Sequence, residues 1–104
     1  MKVENYGQLA EDKVNEFEAK WELKIPNDFK MFLLENNGGK VIDGVITLTE
    51  LNEDVLLDCF YGIGLSVRTK NIDYWMNEFL DEYPPCTVII GDTADDNMLL
   101  YIEG

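Results

Sequence analysis

Carboxylates are the reactive groups in which this chain is richest. Its 104 residues include 21 aspartates and glutamates, 8 lysines and arginines, and no histidine. A chain without histidine has no Ser-His-Asp or Cys-His triad, no imidazole ligand for a metal and no imidazole to exchange protons near neutral pH. Any reaction would therefore depend on carboxylates, and we expect that the protein is not an enzyme.

Two acidic segments, together with a tyrosine, are the candidates for a partner-binding surface. The candidate residues are Glu53, Asp54, Asp58, Tyr61, Asp92, Asp95 and Asp96. On such a surface, charged side chains steer the encounter and buried aromatic side chains supply affinity. The alternative is that the carboxylates are solvated loop residues, and that Tyr61 and a further candidate, Tyr101, pack within the sheet.

The second acidic segment fits a calcium loop poorly. An EF-type loop needs a glycine at its sixth position, whereas counting from Asp92 places Asn97 there and Ala94 in a ligand position. We therefore expect no metal and no other cofactor. A carboxylate pair such as Asp58 with Asp92 leaves a glycosidase-like reaction open as an alternative, although no further motif supports one.

Two other features suggest chemistry at first sight. Cys59 and Cys86 lie in apolar stretches without the spacing of a zinc site, so we expect two buried thiols, with a disulfide as the alternative. Gly62-Ile63-Gly64 begins like a nucleotide-binding loop, but Val67 stands where the motif needs its third glycine. We expect a bend at the end of a strand instead.

The formal net charge is -13. A field of that sign repels nucleic acid and anionic membranes and accelerates association with basic partners. The alternative is that the charge serves solubility alone. The sequence has no apolar run near 18 residues and no signal-peptide pattern at its start, so we expect a cytoplasmic protein.

Three predicted helices and four predicted strands must position these residues. Apolar residues at helical spacing predict helices over 8–21 and 71–83, with Asn71 as N-cap, and a third from Pro26 to a stop at Gly38 in the left-handed conformation. Alternating residues predict strands over 45–49 and 55–61, and shorter ones over 87–90 and 98–102.

Connections complete this prediction. Asp43-Gly44 is expected to be a turn and 51–54 a loop, and the last two strands should form a hairpin whose tip carries 91–97. The order of elements predicts a single α+β domain, with a mainly antiparallel sheet of four or more strands flanked by three helices.

Three segments form a pattern with the helix between them that spans residues 8 to 102: FEAKWELKIPNDFKMFLLENNGG, DCFYGIGL and VIIGDTADDNMLLY. In their order and spacing they resemble the SUKH superfamily, small domains related to yeast cell-wall assembly regulators and common among bacterial immunity proteins. The resemblance implies a single non-catalytic α+β domain. It also implies that the protein neutralises a cognate polymorphic toxin, often a nuclease, whose basic surface would suit this acidic chain.

The chain departs from the family pattern in two places. Asp96 stands where the family often has a glycine, and family members usually continue past the last strand with a further strand and helix. We therefore expect a short or truncated member, in which an uncovered apolar face would favour self-association. Two alternatives to an immunity protein are an intracellular scaffold or regulatory module of the same fold, and a carboxylate enzyme.

Overall fold

The structure is a computed structural model that describes residues 2–42, 45–48, 53–83, 87–94 and 98–102. Several predictions lie outside these residues: the turn at Asp43-Gly44, the thiol of Cys86 and the two acids of the hairpin tip, Asp95 and Asp96. For Glu53, Asp54 and Tyr101, the structure gives the position in a strand.

The described residues form three α-helices, one 3-10 turn and six strands. The helices are α1 (Glu11–Trp21), α2 (Asn27–Asn36) and α3 (Ile72–Glu78), and the 3-10 turn is Arg68–Lys70. The strands are β1 (Val3–Asn5), β2 (Gly39–Val41), β3 (Val45–Leu48), β4 (Glu53–Phe60), β5 (Thr87–Thr93) and β6 (Met98–Ile102).

The sheet has the strand order β1-β2-β4-β5-β6, and β3 pairs with the first half of β4. All of these named pairs are antiparallel. The prediction of an α+β domain with an antiparallel sheet and three helices is therefore confirmed. The hairpin between β5 and β6 is also confirmed.

The core lies between the helices and the sheet. The helices contribute fully or almost fully buried residues at helical spacing, and the strands contribute further buried residues, which in β5 are consecutive and so lie on both faces of the strand. From α1 and α2 these are Val14, Phe17, Phe29 and Leu33, and from the strands and the segments beside them they include Cys59, Tyr61, Val88 and Ile89. Most of the apolar residues at helical spacing are therefore core, whereas Met31 and Leu80 are 58% and 60% exposed.

Several details of the predicted elements were wrong. β1 and β2 were not predicted, because each has only three residues and no clear alternation. The segment predicted as a loop before β4 contributes its last two residues, Glu53 and Asp54, to the strand. Asn71 precedes α3, but its side chain binds Leu65 N and O at 2.7 and 2.9 Å instead of capping the helix, which ends at Glu78.

The end of α2 is joined tightly to the segment after β4. Asn37, at φ 49°, takes the left-handed position expected of Gly38, which also has a positive φ. The buried Asn37 amide accepts from Ile63 N at 2.8 Å and donates to Ile63 O at 3.0 Å. Gly62 passes so close to Asn37 that a Cβ would collide with its backbone. The expected bend after the strand is therefore confirmed, and this contact requires its first glycine.

Among the described residues, no helix has the length and apolar character that crossing a membrane requires.

Candidate functional site

Four polar or ionisable residues form a row across four strands of the sheet. Glu4 of β1 pairs with Lys40 of β2, Lys40 pairs with Cys59 of β4, and Cys59 pairs with Asp92 of β5. Residues paired directly across neighbouring strands carry their side chains on the same face of a sheet. Acidic, basic and thiol groups therefore follow one another across this face.

Asp58 joins the row because β4 is irregular at this point. The pairing with β5 passes from Leu57 to Cys59, so Asp58 is an extra residue in the strand. A β-bulge of this kind redirects side chains, and it is common beside functional sites. The carboxylate oxygens of Asp58 and Asp92 and the sulfur of Cys59 accordingly lie within 4.8 Å of one another, although Asp58 and Cys59 are sequence neighbours.

Asp92 is the hydrogen-bond acceptor at the inner end of the site. The Tyr61 hydroxyl donates to Oδ2 of Asp92 at 2.8 Å, and the Cys59 thiol donates to Oδ1 at 3.2 Å. Tyr61 itself is fully buried and stacks on Trp75 of α3, with ring centroids 5.6 Å apart. Half-buried Asp92 is thereby held in one position from within the core.

Burial sets the protonation state of the thiol. It raises the pKa of Cys59 to about 12, and the hydrogen bond to Asp92 and the charge of that carboxylate add to the shift. Lys70 opposes it, with its Nζ 4.0 Å from the sulfur. Because the thiolate is the nucleophile and the metal ligand, Cys59 at neutral pH is a neutral hydrogen-bond donor rather than a reactive group.

Tyr6 and Lys70 lie beside the row and line the same cavity as Glu4, Lys40 and Cys59. Tyr6 follows β1 and is fixed by its backbone N–H, which donates to Asn36 O at 3.0 Å. Lys70 ends the 3-10 turn, and its carbonyl accepts from Gly62 N at 2.9 Å. Burial, followed by the charges of Cys59, Asp58 and Asp92, raises the pKa of Tyr6 to about 12. The Tyr6 hydroxyl therefore stays protonated at neutral pH.

Most of these residues line an open cavity of about 470 Å³. Its lining combines two amines, two carboxylates, an amide, a phenol and a thiol: Glu4, Asn5, Tyr6, Lys40, Asp58, Cys59 and Lys70. A smaller hollow of about 270 Å³ shares Tyr6 and Lys70 with it and adds Leu65, Ser66 and Val67. Cavities of this size commonly bind small molecules or single side chains of a partner.

Asp58, Cys59 and Asp92 form a group of three possible metal ligands that has no ready nucleophile. The thiol is protonated, and Asp92 already accepts two hydrogen bonds. A metal that bound here would have to displace the thiol proton. Without a thiolate, Cys59 supplies no nucleophile to assist the Asp58–Asp92 pair.

The structure brings together two of the predicted binding residues, Asp58 and Asp92. Asp92 lies within β5, not in the hairpin tip, because the strand continues to Thr93. Tyr61 packs in the core, as the alternative interpretation stated, and is inaccessible to a partner. Glu53 and Asp54 lie four to five residues along β4 from Asp58, a distance of roughly 13 to 17 Å at strand rise, and pair with β3.

Sequence reasoning missed five lining residues: Glu4, Asn5, Tyr6, Lys40 and Lys70. They come from β1, β2 and the 3-10 turn, which the sequence pattern did not reveal. The one available signal was the opposite charge of Glu4 and Lys40, but it identifies a pair only after the two short strands are known to be neighbours.

The fold and the cavity define a small α+β domain with a charged recess on one face of its sheet. The model of the SMI1 / KNR4 family (SUKH-1) matches residues 8–103. The chain therefore belongs to this family, and the resemblance to the SUKH superfamily is confirmed. Comparisons with curated proteins and with solved structures returned no match.

Proposed function

We propose that this protein is an immunity protein, which binds a cognate bacterial toxin domain and blocks it by occlusion. Membership of the SUKH-1 family is the observation that carries the proposal. The net charge of -13 supports a basic partner, such as a nuclease domain, because opposite charge accelerates encounter. In this role the chain is non-catalytic and acts in the cytoplasm of the cell that makes the toxin.

The cavity face is the surface that we assign to the partner. Asp58 and Glu4 are exposed at the cavity, and Val67 beside it is 55% exposed. Carboxylates with nearby apolar surface supply both steering and contact area. The proposed contacts also include, because of their negative charge alone, Glu53, Asp54, Asp95 and Asp96. Tyr61 is no longer a proposed contact, because it is buried.

Co-expression tests this function. Cells that express the toxin domain encoded beside this gene should survive when the chain is co-expressed and should die without it. The variant Asp58→Asn should protect less well, whereas Asp12→Asn, an exposed acid of α1 outside the cavity, should protect fully. If no neighbouring toxin is neutralised, the proposal is wrong.

The second candidate is a scaffold or regulatory module of the same fold. The family model that matches carries the name SMI1 / KNR4, and the superfamily includes regulators of yeast cell-wall assembly. Such a module would use the same face to bind a regulatory protein. Affinity purification that recovers regulatory or cell-wall proteins, together with no protection from toxins, would favour this candidate.

A further inference from the structure

The charged groups that line the cavity form no close ion pair with one another. The ion pairs of the described residues are Lys13–Glu16, Lys20–Asp73 and Lys30–Glu11, and all lie outside the cavity. Neither Lys40 nor Lys70 comes within 4.0 Å of a carboxylate in the part of the chain that the structure describes. Two amines and two carboxylates therefore line one recess without direct contact between opposite charges.

The thiol of Cys59 has both kinds of charge beside it. Lys70 Nζ lies 4.0 Å from the sulfur, and a carboxylate oxygen of Asp58 lies within 4.8 Å of it. Because the thiol is protonated, it adds no charge of its own to this cluster. A ligand that carries both charges a few ångströms apart would complete both interactions at once.

The charge pattern discriminates among ligand classes. A small anion would be repelled by the carboxylates of Asp58 and Glu4 and by the net charge of -13. A small cation would be repelled by the amines of Lys40 and Lys70. A zwitterion has no net charge and finds an opposite charge at each end, so it is the class that satisfies the whole lining.

The adjoining hollow adds an apolar extension. It is lined by Leu65 and Val67, and it meets the cavity at Tyr6 and Lys70. An apolar substituent that entered it would lie next to the charged recess. The cavity and the hollow have volumes of about 470 and 270 Å³, and together they fall in the usual range for small-molecule sites.

We propose that this cavity binds a zwitterion of the amino acid or dipeptide class. The ligand's ammonium group would lie against Asp58, its carboxylate against Lys70 and Lys40, and an apolar side chain towards Leu65 and Val67. This inference is independent of the proposed toxin binding, because it concerns a small ligand in the isolated chain.

Titration of the full chain with glycyl-leucine, followed by NMR, tests the proposal. N-acetyl-glycyl-leucine and glycyl-leucinamide are matched probes that each lack one charge. Glycyl-leucine should shift the signals of Tyr6, Cys59 and Lys70, and each blocked probe should bind about tenfold more weakly, because a charge-assisted hydrogen bond is lost. The absence of binding, or equal binding of all three probes, would overturn the proposal.

Two variants assign the ends of the ligand. Asp58→Asn should bind glycyl-leucine about tenfold more weakly and should no longer distinguish it from the acetylated form. Lys70→Gln should lose the distinction between glycyl-leucine and its amide. Asp12→Asn should behave like the wild type, and retained signal dispersion would show that each variant is folded. Variants that weaken all three probes equally would contradict the assignment.

Discussion

The hydroxyl of Tyr61 lies 2.8 Å from Oδ2 of Asp92 and joins the buried core to a carboxylate beside the cavity-lining residues Asp58 and Cys59. Tyr61 is fully buried, whereas Asp92 is half-buried next to the exposed Asp58. One hydrogen bond therefore connects the packing of Tyr61 against Trp75 of α3 with the Asp58–Asp92 carboxylates. This contact makes the site depend on the core.

Removal of the Tyr61 hydroxyl should destabilise the fold. Tyr61→Phe loses a hydrogen bond to a charged acceptor, and we expect the free energy of unfolding to fall by about 2 kcal/mol. Urea denaturation measures it. The control Tyr74→Phe, which keeps the aromatic ring beside Arg68, should change stability by less than about 0.5 kcal/mol.

The effects of Tyr61 and Asp92 on the free energy of unfolding should depend on each other. If Asp92 is held by Tyr61, then Tyr61→Phe and Asp92→Asn should be coupled, so the double variant should lose less stability than the two single losses combined. Additive losses would show that the 2.8 Å contact makes no energetic contribution.

Stability should fall in alkaline solution. The folded state raises the pKa of Cys59 and Tyr6 to about 12, from ordinary values of 9.0 and 10.0, and burial also raises that of Tyr61. Between pH 9 and pH 12 the unfolded chain therefore binds fewer protons than the folded one, and the free energy of unfolding decreases as pH rises. Below pH 9 this contribution to stability is fully present.

Denaturation at a series of alkaline pH values measures this slope. Cys59→Ala removes one of the groups and should reduce the slope by up to one proton over part of the range. An identical slope in the variant would contradict a raised pKa for Cys59.

Two neighbouring glycines should differ sharply in tolerance. Gly62→Ala forces a Cβ into the backbone of Asn37, and we expect a loss of roughly 2 to 4 kcal/mol or failure to fold. Gly64→Ala is the matched control: Gly64 has φ +70° and open space around its Cβ position, so only the left-handed strain of about 1 kcal/mol applies. Thermal denaturation of both variants measures the difference. Equal losses of stability would contradict the close approach of Gly62 and Asn37.

Association with a basic partner should slow as salt is added. The Debye length falls from about 8 Å at physiological ionic strength to about 3 Å at 1 M, so steering by the acidic surface should be screened. Stopped-flow measurements should show a lower association rate for Asp58→Asn than for Asp12→Asn at low salt, and the two should converge at high salt. A rate that is independent of salt would rule out electrostatic steering.

The sequence predicted the elements whose residues repeat clearly. Phe29 and Leu33 mark the buried face of α2, and the apolar runs from Val88 and Met98 mark the final hairpin. It did not predict the site, because the cavity depends on relations between distant segments. Glu4 and Lys40 face each other only after two three-residue strands have paired, and Asp58 joins them only through a bulge.

Asn71 shows why local signals also fail. Its type and position are typical of an N-cap, but the loop at Leu65 offers both a donor and an acceptor to the same amide. Tertiary hydrogen bonds therefore replaced the expected local one. The prediction that Asp92 lies in the hairpin tip was wrong for a similar reason, since pairing with Cys59 extends β5 beyond its apolar run.

Direct inhibition of a purified toxin domain is the measurement closest to the proposed function. The domain encoded beside this gene should lose its activity in proportion to added chain and reach complete inhibition at a fixed stoichiometry, because occlusion requires one bound copy per site. Asp58→Asn should need a higher concentration for the same inhibition. Full toxin activity in the presence of excess folded chain would contradict the proposal that this SUKH-1 protein is its immunity protein.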